Sequence, residues 1–114
     1  MMNRRTFVFY FFFTLALGQE VPEFDEKRAF GYLEAQCDFG PRVPGTVGHR
    51  KGLRHIIDTV SSLADTVLLQ SFSHSDAYTG KLYKLTNVLA RFRPSEKQRF
   101  WIAAHWDTRP WADQ

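Results

Sequence analysis

The sequence predicts an α/β fold in which a mixed β-sheet is flanked by helices. Three observations predict this class: residues 53–64 repeat apolar side chains at helical spacing, residues 66–72 and 82–92 are rich in β-branched, aromatic and Leu residues, and residues 100–105 are continuously apolar. A strand without polar alternation is typical of a sheet covered on both faces. The 114 residues are enough for one small domain.

The N-terminus has the pattern of a secretory signal peptide. Arg4 and Arg5 precede an uncharged, mostly apolar run over 6–18, and Ala16 and Gly18 provide small residues for cleavage before Gln19. The alternatives are a membrane anchor and a buried N-terminal helix, but a bilayer span needs about 20 apolar residues. We expect residues 1–18 to be a signal peptide and residues 19–114 to form an exported domain, periplasmic or extracellular, without a stable membrane span.

Two helices are expected after the signal peptide. The first covers 22–37, where acidic residues near the start suit the positive end of a helix. A loop over 38–49 follows, because three Gly and two Pro fall within it. The second helix is the clearest element, since its apolar residues recur at i, i+3, i+4, i+7, i+10 and i+11: Leu53, Ile56, Ile57, Val60, Leu63 and Ala64.

Three strands are expected in the second half of the chain, over 66–72, 82–92 and 100–105. An apolar central strand so near the chain end would have a neighbour on one side only. We therefore expect the domain to be incomplete at its C-terminus and the chain to be the first part of a larger domain.

Charge and cysteine content restrict the function classes. Without Arg4 and Arg5, the 15 basic residues fall to 13 against 12 acidic ones, a net charge of +1, which gives no support for a nucleic-acid partner. Cys37 is alone, which excludes an internal disulfide and a Cys-based metal site; we expect a small apolar residue on a helix face. Six basic residues are interpreted as the solvated edge of a hairpin: Lys81, Lys84, Arg91, Arg93, Lys97 and Arg99.

The candidate chemistry lies at the end of the third predicted strand. Residues two apart in an extended segment point to the same side, so His105 and Asp107 face one site. Both could bind one metal ion, or His105 could bind it while Asp107 accepts a hydrogen bond from the other ring nitrogen. Zinc is the natural candidate. The alternative is a strand-end histidine that only hydrogen-bonds its neighbouring carboxylate.

Other titratable residues are weaker candidates. Asp113 is interpreted as a turn residue, His49 and His55 as solvated residues near the polar side of the second helix, and His74 as a loop residue without a partner. The sequence contains no phosphate-binding loop, nucleophile elbow or HExxH motif.

Three blocks together resemble the N-terminal part of one enzyme family: FGPRVPGTVGHRKG, LTNVLARFRP and AAHWDTRPWADQ. In order and spacing they are similar to the zinc exopeptidase family that contains bacterial leucyl aminopeptidases and glutaminyl-peptide cyclotransferases. The blocks cover about 39–114, and the last is the most specific. The first block and the Asn-Val strand favour the cyclotransferase-like branch.

The resemblance implies a mixed sheet flanked by helices, with one or two zinc ions at the strand ends. His105 would match the family's first metal-ligand histidine, and Asp107 the carboxylate that orients it. In cyclotransferases, where a single zinc is typical, the histidine equivalent to His105 need not bind the metal. The substrates would be peptide or protein N-termini.

The sequence departs from the family's pattern because it ends before the Asp that bridges two metals. One His and one adjacent Asp cannot complete a tetrahedral zinc site, so we expect the chain as it stands to be inactive. Three functions remain open, two of them for a longer parent protein and the third for the chain itself as a short protein. The favoured one is a glutaminyl-peptide cyclotransferase that converts N-terminal Gln to pyroglutamate; the others are a zinc aminopeptidase and a short exported binding protein without catalysis.

Overall fold

The computed structural model of the chain describes residues 21–110. Along the chain these residues form helix α1 (Glu26–Cys37), helix α2 (Val47–Ser61), strand β1 (Thr66–Ser75) and strand β2 (Leu82–Arg91). The α/β class that the sequence predicts is confirmed. The predicted signal peptide and Asp113 lie outside the described residues.

Each helix begins at a side chain that caps its first turn. The Asp25 carboxylate accepts a hydrogen bond from the backbone N–H of Arg28 at 2.9 Å, so α1 begins at Glu26 and not at residue 22 as predicted. Thr46 Oγ1 accepts one from the backbone N–H of His49 at 3.2 Å and starts α2 in the same way. At the far end of α1, Cys37 lies on the helix as expected, and its side chain is exposed.

Strands β1 and β2 form an antiparallel hairpin with continuous register, from Thr66 opposite Arg91 to Ser75 opposite Leu82. Both predicted strands are therefore confirmed, and β1 extends beyond its predicted end. His74, which the sequence analysis assigns to a loop, lies in β1. Helix α2 packs against both strands.

The turn of the hairpin is built around one carboxylate. Asp76 Oδ1 accepts hydrogen bonds from the backbone N–H groups of Tyr78 and Thr79 and from the Thr79 hydroxyl. These bonds, led by the one from the Thr79 hydroxyl, lower the pKa of Asp76 because they favour its ionised form. Gly80 takes the positive φ of 67° that the turn requires.

The prediction of a third strand is wrong, because no such strand forms within the residues that the structure describes. Residues 100–105 have no regular secondary structure, and Phe100, Trp101 and Ile102 are 92%, 82% and 96% exposed. A strand needs a hydrogen-bonded neighbour and an apolar one needs cover, and none of residues 21–110 pairs with this segment. The apolar pattern thus identifies a segment suited to a sheet interior. A strand forms there only when a neighbouring strand is present to pair with it.

The described core is the contact layer between α2 and the hairpin. Its side chains are half-buried, and within residues 21–110 no apolar side chain is fully enclosed. Of the helices in this range, none combines the length and apolar character that crossing a membrane demands.

Candidate functional site

The two predicted site residues, His105 and Asp107, form a pair. His105 Nδ1 lies 3.0 Å from Asp107 Oδ1. An ionised carboxylate can only accept, so this hydrogen bond requires the proton on Nδ1, and in the neutral imidazole Nε2 then carries the lone pair. The His105 side chain is 94% exposed and that of Asp107 33% exposed. The structure thus brings together the residues that the i, i+2 spacing predicts.

Trp106, between them, anchors the segment to the rest of the fold. Its indole Nε1 donates a hydrogen bond to the backbone carbonyl of Thr86 in β2 at 3.3 Å. Its ring lies 4.5 Å from the ring of His49 in α2, with an angle of 34° between the planes. The residue that separates His105 from Asp107 is therefore held by both a helix and a strand.

Arg42 joins the same segment to the loop before α2. Its Nε donates to the carbonyl of Trp106 at 2.7 Å, and its Nη1 donates to the carbonyl of Gln36 in α1 at 2.8 Å. The backbone N–H of Thr108 donates to the carbonyl of Arg42 at 3.2 Å. Hydrogen bonds from a charged donor are stronger than neutral ones, so Arg42 connects α1, the loop and the candidate site.

Two glycines of α2 allow the loop that precedes the helix to pack directly against it. A Cβ on Gly48 would lie 2.5 Å from the carbonyl oxygen of Pro41 and 2.8 Å from that of Phe39. A Cβ on Gly52 would lie 2.8 Å from Cδ of Arg42. Because positions i and i+4 share a face of a helix, the two glycines form one shallow surface on which the loop rests.

His49, which is predicted to be solvated, differs most from its predicted environment. It is 5% exposed, not solvated, and its Nε2 has no hydrogen-bond partner among the described residues. Burial lowers the pKa of His49, Arg50 adds to the effect, and Asp107 opposes it. The sequence does contain a signal, since His49 lies one helical turn before Leu53 and continues its apolar stripe.

The other predicted candidates fall in different places. His55 is also less exposed than expected, because its ring lies 5.3 Å from that of Phe39 and it is half-buried. His74 lines an open cleft of about 1010 Å³ together with His105, Asp107, Asp76 and Tyr83. The hairpin turn and the His105–Asp107 pair therefore face the same space. No local sequence pattern indicates that these distant residues lie close together.

The donor atoms fit one part of a metal site. With Nδ1 bonded to Asp107, the exposed imidazole of His105 offers Nε2 as a ligand atom, which is the usual arrangement of a zinc-binding histidine. Over residues 21–110, no three His, Cys, Asp or Glu side chains gather in a way that could hold a metal ion. Among the described residues, His105 could supply one ligand and Asp107 the carboxylate that orients it.

Solved structures resemble this chain in both sequence and fold. A leucine aminopeptidase precursor and a glutaminyl cyclase bound to N-acetylhistamine, both from Bacteroides thetaiotaomicron, are each 38% identical to it with a TM-score of 0.76, over 81% of this chain and 31% of theirs. A candidate Zn-dependent exopeptidase from Bacteroides vulgatus is 36% identical with a TM-score of 0.74, over 78% of this chain and 36% of its own. No family model and no curated protein matches the chain.

These similarities confirm the resemblance of the three sequence blocks. The chain belongs to the zinc exopeptidase family that includes leucine aminopeptidases and glutaminyl cyclases. It spans about a third of the length of the solved structures it matches.

Proposed function

We propose that the whole protein is a zinc-dependent enzyme acting on peptide N-termini, specifically a glutaminyl-peptide cyclotransferase. The observation that carries this proposal is the 3.0 Å contact between His105 Nδ1 and Asp107 Oδ1, which leaves Nε2 of an exposed imidazole for a metal ion. The block FGPRVPGTVGHRKG and the Asn-Val strand favour the cyclotransferase reaction, and a glutaminyl cyclase is among the similar solved structures, at 38% identity.

His105 would hold the zinc ion, and Asp107 would hold His105 in the tautomer that can bind it. When bound, zinc supplies a Lewis acid that polarises the side-chain amide of an N-terminal Gln. The described residues contribute orientation: the Asp107 hydrogen bond fixes the imidazole, and the anchors on Trp106 fix Asp107. A preorganised ligand of this kind loses little freedom when the metal binds.

A second candidate, a zinc aminopeptidase, is favoured by one specific observation. The leucine aminopeptidase precursor is as similar to this chain as the glutaminyl cyclase, at 38% identity and a TM-score of 0.76 for both. Overall similarity therefore does not separate the two reactions, and substrate chemistry must do so.

The test is a pair of assays on the protein expressed from its complete gene. Cyclisation of a Gln-initiated peptide is followed by mass spectrometry as loss of ammonia, and hydrolysis of Leu-p-nitroanilide is followed by absorbance. The proposal predicts cyclisation without hydrolysis, and hydrolysis alone would replace it with the aminopeptidase. Absence of both activities in the zinc-supplemented protein would contradict both and favour a non-catalytic binding protein.

Variants sharpen the assay. Asp107→Asn removes the acceptor that fixes the His105 tautomer, and loss of such a partner typically lowers metal affinity or activity about 10–100-fold. Lys97→Ala is the matched control, because Lys97 is exposed and lies outside the pair. Equal activity of Asp107→Asn and Lys97→Ala would contradict the role of Asp107.

Export is the remaining part of the proposal, and it rests on the signal-peptide pattern of residues 1–18. Similarity to a leucine aminopeptidase precursor is in keeping with it. Mass spectrometry of the secreted or periplasmic protein should find Gln19 at its N-terminus, either free or cyclised. A protein that keeps Met1 in the cytoplasm would contradict export.

A further inference from the structure

We propose that His49 is a positioning residue for the His105–Asp107 pair and acts through the indole of Trp106. The inference concerns how the pair is oriented, and it rests on the proposed function only for its consequence in metal binding. Three observations carry it: the enclosure of His49, its contact with Trp106, and the place of Trp106 in the chain.

The backbone of His49 is held in place and its side chain is enclosed. The backbone N–H of His49 is capped by Thr46 Oγ1 at 3.2 Å, in the first turn of α2. The residue is 5% exposed. Gly48 beside it lets the loop pack closely on the helix, as the 2.5 Å from its virtual Cβ to the Pro41 oxygen shows. The backbone of His49 is therefore held by a capped helix end, and its side chain is enclosed beside a closely packed loop.

The contacts of His49 involve the surface of its ring and not a hydrogen bond from Nε2. Its Nε2 is buried without a hydrogen-bond partner among the described residues, which is unfavourable for folding. Its face lies against the Trp106 ring, with 4.5 Å between centroids. Among the described residues, the His49 ring therefore acts through its packing against Trp106 and not through a hydrogen bond of Nε2.

The contacts that hold Trp106 also restrain its chain neighbours His105 and Asp107. Three contacts hold it: the His49 ring, the bond from its Nε1 to the Thr86 carbonyl, and the bond from Arg42 Nε to its own carbonyl. His105 and Asp107 are its chain neighbours. If the His49 contact is lost, the indole of Trp106 is less restrained, and a backbone shift at Trp106 that follows would move Asp107 Oδ1 away from His105 Nδ1.

The experiment reads the tautomer of His105 by NMR in the metal-free full-length protein, from the long-range couplings between ring protons and nitrogens. In the unsubstituted protein we expect one dominant form, protonated at Nδ1. His49→Phe keeps a ring against Trp106 and should retain this form. His49→Gln, which keeps a polar group without a ring, and His49→Ala should both yield a mixture of tautomers.

His55→Ala is the matched control, because His55 is a second partly enclosed histidine of α2 that packs on Phe39 and not on Trp106. It should leave the His105 tautomer unchanged. The inference is overturned if folded His49→Gln or His49→Ala protein keeps the Nδ1 form, if His55→Ala loses it, or if His49→Phe loses it or fails to fold. Because the readout needs neither zinc nor substrate, absence of both enzyme activities would reject the proposed function without affecting this result.

Discussion

Arg42 offers the most direct test of how the candidate site is attached to the fold. Its guanidinium donates to the carbonyls of Trp106 and Gln36 at 2.7 and 2.8 Å. A hydrogen bond from a charged group contributes about 1.5–3 kcal/mol. Since Arg42 is half-buried, we take the lower part of that range for each bond. For the two bonds together, Arg42→Ala should then lower the free energy of unfolding by about 3–4 kcal/mol.

Urea denaturation of the full-length protein measures this loss. Arg42→Lys should lose about half as much, because one ammonium group cannot reproduce the planar fork that reaches two carbonyls. The control is Arg50→Ala, which removes one exposed bond from Arg50 Nη1 to the Gly45 carbonyl at 3.2 Å. If Arg42→Ala were no more destabilising than Arg50→Ala, the view that Arg42 joins α1 to the site would be refuted.

Two further predictions concern the loop and the hairpin. Gly48→Ala should destabilise the protein by about 1–3 kcal/mol in urea denaturation, because its Cβ would meet the Pro41 carbonyl. Gly31→Ala in α1, where the Cβ meets nothing within 4 Å, should stabilise it by about 0.5–1 kcal/mol; the opposite order would contradict the packing of the loop. Asp76→Ala should reduce stability at neutral pH. Because the folded pKa of Asp76 is lowered from 3.8, its contribution is present above that value and is lost as pH falls through the folded pKa. The difference between Asp76→Ala and the unsubstituted protein should therefore shrink under acid conditions, and a constant difference would exclude this carboxylate as the cause.

The sequence predicts most of the local structure, because local structure depends on periodicity and capping. The second helix, both hairpin strands and the i, i+2 pairing of His105 with Asp107 follow from spacing alone. The start of α1 differs because Asp25 caps the helix, so that it begins at Glu26.

The errors arise where distant parts of the chain decide the outcome. Residues 100–105 have the composition of a buried strand, but a strand also requires a partner. His49 is polar and is therefore assigned to solvent, although a loop and Trp106 enclose it. The role of Arg42 depends on carbonyl groups six and 64 positions away in the sequence, and no local pattern reveals such contacts.

The measurement that tests the central claim most directly is the zinc content of the full-length protein, determined by elemental mass spectrometry after dialysis. We expect stoichiometric zinc in the unsubstituted protein and in the His55→Ala control. If His105 holds the zinc ion as proposed, His105→Ala should lose metal at least as strongly as Asp107→Asn, because it removes the ligand itself and not only the group that orients it. Unchanged zinc content together with unchanged activity in His105→Ala would contradict the assignment of His105 as a metal ligand.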